Sequence, residues 1–451
     1  METKAQLAHL GLFDAKVPRY TSYPTAPHFG PAIDSAKFTS WVAAIPEGAA
    51  ISLYLHVPFC RRLCWFCACR TQGTQSDAPV AAYLQVLKAE LAMLAAILPR
   101  GVRLSRLHWG GGTPTLLTGP MITELAAAVA NVAPFAKDYE FSVEIDPCEV
   151  DDARLDALAA AGMNRASIGV QDFDEDIQKT IGRPQGFDVT RTAVEGIRAR
   201  GVKSLNADIL FGLQHQTDAK ITDTVQKLLS FSPDRVALYG YAHVPWMAKR
   251  QQMIPSDALP TPEERLDLFD VARRLFLWDG FREIGIDHFA LPTDGLAQAQ
   301  SKGMLKRNFQ GYTNDPADVL IGVGASAISR FPRGYAQNES ATGAHTGAIR
   351  DGRFSVHRGH AFTAEDRLRG RIIEALMCDF EVIPQEIGAE FAIAPNLVAQ
   401  ILAKARAALP NVLEMNDGIL SIPPEARPLT RIIARQFDAY DLSKAGHSSA
   451  I

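Results

Sequence analysis

Four of the six cysteines of this 451-residue chain lie within ten positions, in the stretch HVPFCRRLCWFCACR (56–70). They follow the spacing C-x3-C-x2-C-x-C, at Cys60, Cys64, Cys67 and Cys69. Thiolates are soft metal ligands and strong nucleophiles, so this loop is the first candidate for a site that does chemistry. The other two cysteines, Cys148 and Cys378, stand alone, and we expect both to be buried as small apolar side chains.

Three kinds of site compete for the four thiols. A tetrahedral zinc site usually takes two separated pairs of ligands, and four ligands packed this closely would strain the last pair. A redox disulfide between Cys64 and Cys67 would have C-x2-C spacing, but the thioredoxin context is missing. An iron–sulfur cluster needs several thiolates on one loop, and this spacing fits that need. The residues favour a cluster, and Cys69 as a fourth ligand, which would make a plain electron carrier, stays open.

The cysteine loop follows the first of six apolar, strand-like segments, which alternate with longer segments of helical periodicity. The six segments are 52–59, 105–110, 140–146, 165–171, 204–212 and 235–242. Alternation of this kind predicts an α/β fold, in which parallel strands are joined by right-handed helical crossovers. We expect a partial or complete parallel (β/α) barrel; an open, doubly wound sheet has the same periodicity.

In either architecture, ligands bind at the carboxyl ends of the strands. Glycine and polar residues collect there in this sequence, namely His56, Gly111, Gly112, Thr113, Glu144, Gln171, Asp208 and 241–243. The glycines would let the backbone approach a ligand, and Glu144 would accept two ribose hydroxyls. A buried ion pair is the alternative role for Glu144. Repetition over six strands favours one shared pocket.

The pattern divides the chain into four segments. Segment 1–48 is expected to cover the substrate, 49–290 to form the barrel, 291–362 to close the pocket, and 363–451 to form a mainly helical domain. The last segment contains helix-like stretches and a hairpin-like VLEMNDGILSI (412–422), in an order that resembles a winged helix. It carries no basic stripe of the kind that reads DNA.

The composition is that of an ordinary globular protein, with 47% hydrophobic and 21% charged residues. A net charge of -4 gives no general attraction for nucleic acid or anionic lipid, so an acidic ligand needs a local basic pocket. The N-terminus has no signal-peptide core, and no uninterrupted apolar run reaches the ~18 residues of a membrane span. We therefore expect a cytoplasmic protein, in which clustered thiols bind metal or react. No coiled-coil pattern is present, and we expect a monomer.

The C-x3-C-x2-C loop, with Phe66 before its third cysteine, resembles the signature of radical S-adenosylmethionine (radical SAM) enzymes. The resemblance implies that Cys60, Cys64 and Cys67 hold a [4Fe–4S] cluster whose fourth iron binds the amino and carboxylate groups of SAM. Such a cluster reductively cleaves SAM to a 5'-deoxyadenosyl radical, which abstracts hydrogen from an unactivated carbon. Cys69 is then spare, because a fourth thiolate would block the open iron. Thr113 stands where the family's GGE motif has an acid.

Further motifs, including RYTSYPTA (19–26), SVEIDP (142–147), NADILFGL (206–213) and NFQGYT (308–313), extend the resemblance over nearly the whole chain. The chain is similar to the oxygen-independent coproporphyrinogen III oxidases. These enzymes decarboxylate two propionates of coproporphyrinogen III to vinyl groups and give protoporphyrinogen IX, in anaerobic haem biosynthesis. The resemblance also implies an external electron donor such as flavodoxin or ferredoxin.

The same resemblance implies two SAM molecules, side by side. The first would touch Tyr54, Gly111, Glu144 and Ile328. The second would touch Phe66, Gly112, Thr113, Gln171, Arg183, Asp208 and Ala242. Arg19, in the N-terminal segment, is the candidate for binding a substrate carboxylate, as part of a lid over the pocket. For Tyr54 and Arg19, core packing and surface solvation are the alternatives.

Two other functions fit the same motifs less well. One is a related radical SAM enzyme that acts on haem by ring opening or methylation, and the other is a non-catalytic carrier that binds haem. The presence of RYTSYPTA and NFQGYT favours the porphyrinogen-decarboxylating enzyme. Product analysis with haem and with coproporphyrinogen III distinguishes the two enzymes, and formation of 5'-deoxyadenosine distinguishes both from a carrier.

Overall fold

The computed structural model describes residues 4–441 and 448–451. Within those ranges the chain forms fifteen α-helices. They are α1 (Lys4–His9), α2 (Ser35–Ala43), α3 (Ala78–Ile97), α4 (Gly119–Ala130), α5 (Asp152–Ala160), α6 (Glu175–Thr180), α7 (Phe187–Ala199), α8 (Asp218–Leu229), α9 (Pro262–Trp278), α10 (Gly295–Gln300), α11 (Thr342–Arg350), α12 (Ala364–Asp379), α13 (Pro384–Phe391), α14 (Pro395–Ala408) and α15 (Thr430–Arg435).

The described residues also contain nineteen strands. They are β1 (Ala50–Val57), β2 (Phe59–Cys60), β3 (Gln72–Gly73), β4 (Arg103–Gly111), β5 (Phe135–Ile145), β6 (Arg165–Gln171), β7 (Ser204–Phe211), β8 (Arg235–Gly240), β9 (Arg282–Ile284), β10 (His288–Ala290), β11 (Lys306–Asn308), β12 (Gly311–Thr313), β13 (Leu320–Val323), β14 (Ile328–Phe331), β15 (Gly334–Asn338), β16 (Val356–Ala361), β17 (Glu381–Val382), β18 (Glu414–Asn416) and β19 (Ile419–Ser421).

Twelve of these strands form one sheet, in the order β16-β15-β14-β13-β1-β4-β5-β6-β7-β8-β10-β9. The run β1, β4, β5, β6, β7, β8 is parallel throughout and contains the six strands that the sequence predicts. The order is linear, so the sheet does not close, and the prediction of a partial (β/α) barrel is confirmed. The carboxyl ends of the six strands therefore meet along one rim, as the pocket requires.

The parallel strands are apolar along almost their whole length because both faces of the sheet are covered. In β1, Ile51, Leu53 and Leu55 are each at most 1% exposed, and the helices between the strands supply the packing partners. Helix α9 illustrates how the helices are placed. Thr261 and Glu264 form a reciprocal capping box, with Pro262 in the first turn, so the helix starts at a fixed point beside β7 and β8.

Segment 291–362 adds four strands to the same sheet. Strand β13 pairs in parallel with β1 on the side opposite β4, and β14, β15 and β16 follow as antiparallel neighbours. The sequence suggests only an irregular stretch there, because strands of four to six residues carry little periodicity. The pairing of β13 with β1 brings this part of the sheet next to the strand that leads into the cysteine loop.

The C-terminal segment packs around a second hydrophobic core, to which the N-terminal segment and Leu266 of α9 also contribute. Its elements follow the order α12, β17, α13, α14, β18, β19, with β17 and β18 flanking β19 in a three-stranded sheet. This is the order of a winged helix and agrees with the prediction of a mainly helical domain of that kind. The N-terminal segment packs into this core through Leu7, Leu12 and Val17.

Arg431 connects the two ends of the chain. Its guanidinium donates hydrogen bonds to the backbone carbonyls of Val17, Pro18, Ser449 and Ala450. All four acceptors are neutral, so the buried charge is spread over carbonyl dipoles instead of being paired with a carboxylate. The N-terminal segment is therefore fixed against the C-terminal domain near Arg19.

Helix α3 is the one described helix that is long and apolar enough to cross a membrane by length and composition alone. Eight of its residues are buried in the protein, including Leu84, Leu87 and Leu91. A core helix of a large α/β domain has the same composition, because it packs on the sheet and on neighbouring helices.

The expectation for the two isolated cysteines is half right. Cys378 is fully buried in α12, but Cys148 is exposed. Cys148 lies in a short turn after β5, where its N–H donates to the Asp146 carboxylate at 3.0 Å. The cap holds the backbone, and the exposed residue's thiol contacts the Pro184 carbonyl oxygen at 4.0 Å.

Candidate active site

The cysteine loop crosses the rim of the sheet at the end of β1. It runs from β2 to β3, and these two short strands pair in parallel and close the loop at its base. Inside the loop, the Cys67 N–H donates to the Cys64 carbonyl at 3.3 Å, and the Trp65 N–H donates to the Ile181 carbonyl at 2.8 Å. The loop is thus tied both to itself and to the β6–α7 connection.

Polar groups in the loop and in the segments around it stabilise thiolates. A hydrogen bond from Cys69 lowers the pKa of Cys67 to about 6, with help from Arg250 and Arg183. The Arg183 guanidinium also lies 3.5 Å from the Cys64 sulfur. Burial raises the pKa of Cys60, and a hydrogen bond from Thr113 opposes the effect. Metals bind the thiolate form, so this donor set of soft sulfurs beside cationic groups fits an iron–sulfur cluster.

In residues 4–441 and 448–451, no three His, Cys, Asp or Glu side chains converge so as to hold a single metal ion. A cluster distributes its cysteine ligands over different iron atoms, so its thiols need not meet at one point. The lack of a single-ion site in the described residues therefore does not argue against a cluster held by the three cysteines.

A network of polar side chains lies beside the loop, on β1, β4 and β5. Tyr54 and His56 are linked at 2.8 Å between the phenol oxygen and Nδ1, and the Tyr54 ring stacks on His108 at 5.7 Å between centroids. Glu144 lies 3.3 Å from His108 Nε2 and accepts a 3.1 Å hydrogen bond from the Gly111 N–H. Adjacent strand ends bring these five residues together.

Glu144 is held as a carboxylate that faces open space. Its side chain keeps 43% of its surface accessible. Partial burial by itself raises the pKa of Glu144, but hydrogen bonds from His108 and the Gly111 N–H, and the nearby His56, lower it overall. The group therefore stays charged at neutral pH and is able to accept hydrogen bonds from a ligand.

Gly111 and Gly112 are glycines for a steric reason. A Cβ at Gly111, where φ is +110°, would lie 2.5 Å from the His56 ring, and one at Gly112 would lie 2.5 Å from the Phe59 carbonyl oxygen. Only glycine permits this approach of β4 to the start of the cysteine loop. The next residue, Thr113, is buried, and its N–H donates to the Phe59 carbonyl at 2.8 Å.

Gln171 and Arg183 meet over Gly169, at the end of β6. A Cβ at Gly169 would lie 2.9 Å from the Gln171 amide nitrogen and 3.3 Å from Arg183 Nη2. Gln171 has φ of +68°, which directs its side chain away from the regular ladder. Arg183 also pairs with the buried Asp146 at 3.3 Å. The arrangement places a cation and an amide next to the cysteine loop.

Asp208, on β7, accepts a 2.8 Å hydrogen bond from Asn206. Burial raises its pKa from the ordinary 3.8 to about 6; the Asn206 bond opposes this, and the charge of Glu144 adds to it. Two carboxylates therefore face one space; Glu144 is ionised at neutral pH, and Asp208 takes up a proton as the pH falls towards 6. A ligand with several hydroxyls or a positive charge would be held between them.

The raised pKa of Asp208 predicts how pH affects the stability of the ligand-free protein. The unfolded chain ionises this carboxyl near pH 3.8 and the folded chain near 6, so ionisation opposes folding as the pH rises between those values. We expect the free energy of unfolding of Asp208→Asn, relative to the wild type, to increase from pH 4 to 6.5 and then level off. Urea titrations at several pH values measure it, and a difference independent of pH would contradict the assignment.

A residue that sequence reasoning misses joins two predicted cofactor contacts. Gln251 is fully buried, and its amide nitrogen donates to the Phe66 carbonyl at 2.7 Å and to the Ala242 carbonyl at 3.0 Å. Its amide oxygen accepts the Val244 N–H at 2.6 Å. One side chain therefore fixes the cysteine loop against the end of β8.

Gln251→Leu, which has a similar volume, should destabilise the protein. The change leaves two carbonyls and one N–H in the interior without their partner, at a cost of about 1–3 kcal/mol for each group that finds no other. We expect the free energy of unfolding to fall by roughly 3 kcal/mol. The control Gln226→Leu, on the exposed face of α8, should change it by less than about 0.5 kcal/mol.

Two predicted site residues lie further from the network. Ile328 is on β14, which is separated from β1 by β13. Arg19 lies at the other side of the rim, where its Nη2 donates to the Gly240 carbonyl at 2.8 Å. Residues that the sequence does not single out as ligand contacts include His108 and Gln251. Gln251 belongs to no motif with a fixed spacing, whereas His108 lies on the strand that carries Gly111, and that position is the available signal.

The comparisons with known proteins agree with this geometry. Residues 54–228 match the family model of the radical SAM superfamily. The chain is 65% identical over 451 residues, covering all of both chains, to the oxygen-independent coproporphyrinogen III oxidase of Paracoccus denitrificans. It is 59% identical over 443 residues to that of Cereibacter sphaeroides, covering 98% of each chain.

A solved structure extends the likeness to the fold. Coproporphyrinogen III oxidase from Escherichia coli, described as a radical SAM enzyme, superposes with a TM-score of 0.89 at 34% identity, over 95% of this chain and 100% of that one. Identity at this level over whole chains includes the N-terminal segment and the C-terminal domain as well as the sheet. The chain belongs to the oxygen-independent coproporphyrinogen III oxidase family of the radical SAM superfamily.

Proposed function

We propose that the protein decarboxylates two propionate side chains of coproporphyrinogen III oxidatively to vinyl groups and so forms protoporphyrinogen IX. The observation that carries the proposal is the three-cysteine loop at the rim of the parallel sheet, beside an ionised carboxylate, in a chain 65% identical throughout to a curated enzyme of that name. The reaction would serve anaerobic porphyrin and haem biosynthesis.

Cys60, Cys64 and Cys67 would hold the [4Fe–4S] cluster, and a bound SAM would supply a 5'-deoxyadenosyl radical on reduction. The hydrogen bond that the Cys69 N–H makes to the Cys67 sulfur, at 3.4 Å, supports a positioning role for Cys69. Arg183, near the Cys64 sulfur, would offset thiolate charge. Removing such outer partners of metal ligands typically costs ten- to a hundredfold in affinity.

We propose two SAM sites along the rim, as the family resemblance implies. The first comprises Tyr54, Gly111, Glu144 and Ile328, and its support is the hydrogen-bonded network around Glu144. The second comprises Phe66, Gly112, Thr113, Gln171, Arg183, Asp208 and Ala242. Its support is the contact of Gln251 with both Phe66 and Ala242 and the approach of Gln171 and Arg183 to Gly169.

Arg19 is the proposed contact for a substrate carboxylate. It lies on the N-terminal segment, which the C-terminal domain holds against the rim, so the segment covers the pocket as a fixed wall. Such a cover would keep water and oxygen from a reactive radical. We further propose a cytoplasmic monomer that receives electrons from a carrier such as flavodoxin or ferredoxin and binds no nucleic acid, in keeping with its net charge of -4.

Anaerobic reconstitution tests the function. The protein is loaded with iron and sulfide and incubated with reductant, SAM and coproporphyrinogen III. We expect 5'-deoxyadenosine, one carbon dioxide for each propionate lost, and protoporphyrinogen IX. Haem in place of coproporphyrinogen should give no new product. Modification of haem without carbon dioxide release would favour the haem-modifying enzyme, and haem binding without 5'-deoxyadenosine would favour a carrier.

A further inference from the structure

A cavity of about 1010 Å³ opens at the carboxyl ends of β7 and β8, between α9 and the C-terminal domain. Ala242, one of the predicted cofactor contacts, lies in its wall. Its lining is unusually rich in guanidinium groups, from Arg19, Arg265, Arg273, Arg427 and Arg431. A space of this size suits a large small-molecule ligand, and its cations suit an acidic one.

Three of these five arginines already bind other groups of the protein. Arg273 and Arg427 both pair with Glu283, at 2.9 and 3.2 Å. Arg431 donates to four backbone carbonyls at the two chain ends. Another acid of the lining, Asp287, lies 2.6 Å from His288 and 3.7 Å from Arg307, and its charge also acts on Arg19.

Arg265 and Arg19 are different. In the part of the chain that the structure describes, neither forms an ion pair within 4 Å, although Asp270, Asp287 and Glu425 also line the cavity and the charge of Asp287 acts on Arg19. Arg265 is 9% exposed, its Nη1 makes one long hydrogen bond of 3.4 Å to the Gly212 carbonyl, and its Nε has no partner. Burial and the neighbouring Arg19 lower the pKa of Arg265 to about 10.

Two glycines make room for the Arg265 guanidinium. A Cβ at Gly212, where φ is +80°, would lie 2.5 Å from its Nη1, and one at Gly240 would lie 3.1 Å from its Nη2. Gly240 also offers its carbonyl to Arg19 at 2.8 Å. The ends of β7 and β8 thus place two guanidinium groups at one edge of the cavity.

We infer that Arg265, together with Arg19, binds a propionate carboxylate of the tetrapyrrole substrate. The inference rests on the proposed function, since coproporphyrinogen III carries four such carboxylates. Burying a cation without a counterion destabilises the protein. A carboxylate within reach of both guanidinium groups would offset that cost. The pair at the edge of the cavity would orient the substrate relative to Ala242, and Arg265 acts as a binding residue.

The test is anaerobic binding of coproporphyrinogen III to the cluster-loaded protein without reductant, compared among Arg265→Gln, Arg265→Lys and Arg274→Gln. Arg274 is exposed on the same helix and controls for loss of one positive charge. We expect the dissociation constant to rise at least about tenfold in Arg265→Gln, and several-fold in Arg265→Lys, which keeps the charge but loses the fork. Arg274→Gln should bind as the wild type does.

Thermal unfolding of the ligand-free proteins separates this role from a structural one. Removing an unpaired buried charge should leave the unfolding temperature of Arg265→Gln unchanged or higher. A dissociation constant unchanged in Arg265→Gln would overturn the inference, whatever the unfolding temperature. Wild-type turnover, measured in parallel, tests the proposed function separately. If the wild type converts coproporphyrinogen III while Arg265→Gln binds it normally, the inference about Arg265 is wrong and the proposed function stands.

Discussion

Cys64→Ala should be purified without iron or acid-labile sulfide, and should form no 5'-deoxyadenosine from SAM. The reason is chemical: without Cys64, only two of the three thiolates that would hold the cluster remain. We expect the loss to exceed the ten- to hundredfold typical of removing an outer partner of a metal ligand. Iron analysis, visible absorption and product analysis after anaerobic reconstitution measure it.

Cys69→Ala should differ sharply from Cys64→Ala. Cys69 supports Cys67 in part through its backbone N–H, 3.4 Å from the sulfur, and that contact survives any side-chain change. The variant loses only the thiol hydrogen bond, so we expect full iron content and a turnover reduced roughly ten- to a hundredfold. Cys69→Ser restores a donor and should recover part of the loss. Equal loss of iron in Cys64→Ala and Cys69→Ala would contradict the ligand assignment.

Cys148→Ala is the matched control for both variants. This thiol is exposed and stands outside the loop, so its loss changes neither ligands nor core packing. We expect wild-type iron content and turnover. A loss of iron in this control would mean that handling of the thiols, and not the position of the ligand, determines the result.

The sheet and its rim were accessible from the sequence because both depend on local patterns. Six apolar segments of strand length, separated by helical periodicity, specify parallel strands with crossovers, and residues after each strand must lie on one rim. Closure of the barrel was not accessible. It depends on how β13 pairs with β1 and how β13 to β16 pair with each other, and strands of only four to six residues carry little periodicity.

The residues of the candidate site also fall into two groups, those that the sequence indicates and those that it does not. The cysteines and Glu144 belong to compact motifs, whereas Gln251 reaches Phe66 across 185 positions of sequence. Arg265 is one of several arginines on an amphipathic helix, where an exposed ion pair is the ordinary expectation. Only the fold places it against Gly212 and Gly240 without a carboxylate. These roles depend on contacts between segments that are far apart in the sequence, and the spacing of residues within a motif does not indicate them.

Glu144→Gln should weaken binding of SAM about a hundredfold and leave the cluster intact. The carboxylate is ionised, accepts the Gly111 N–H at 3.1 Å and faces open space beside the cysteine loop, so it is placed to accept hydrogen bonds from the ligand. Glutamine keeps the shape and one acceptor oxygen but loses the charge. Removing the charge from such a contact costs about 2–5 kcal/mol, and each 1.4 kcal/mol is tenfold.

Equilibrium binding of SAM to the anaerobic, oxidised protein measures this effect apart from catalysis. Asp138→Asn is the matched control, because Asp138 is an exposed acid on the same strand, β5, and its charge lies away from the rim. The variant Glu144→Gln should keep wild-type iron content, since the residue contacts no cysteine of the loop. If its dissociation constant for SAM equals that of Asp138→Asn, then Glu144 serves only the ion pair with His108. The first cofactor site would then have to lie elsewhere on the rim.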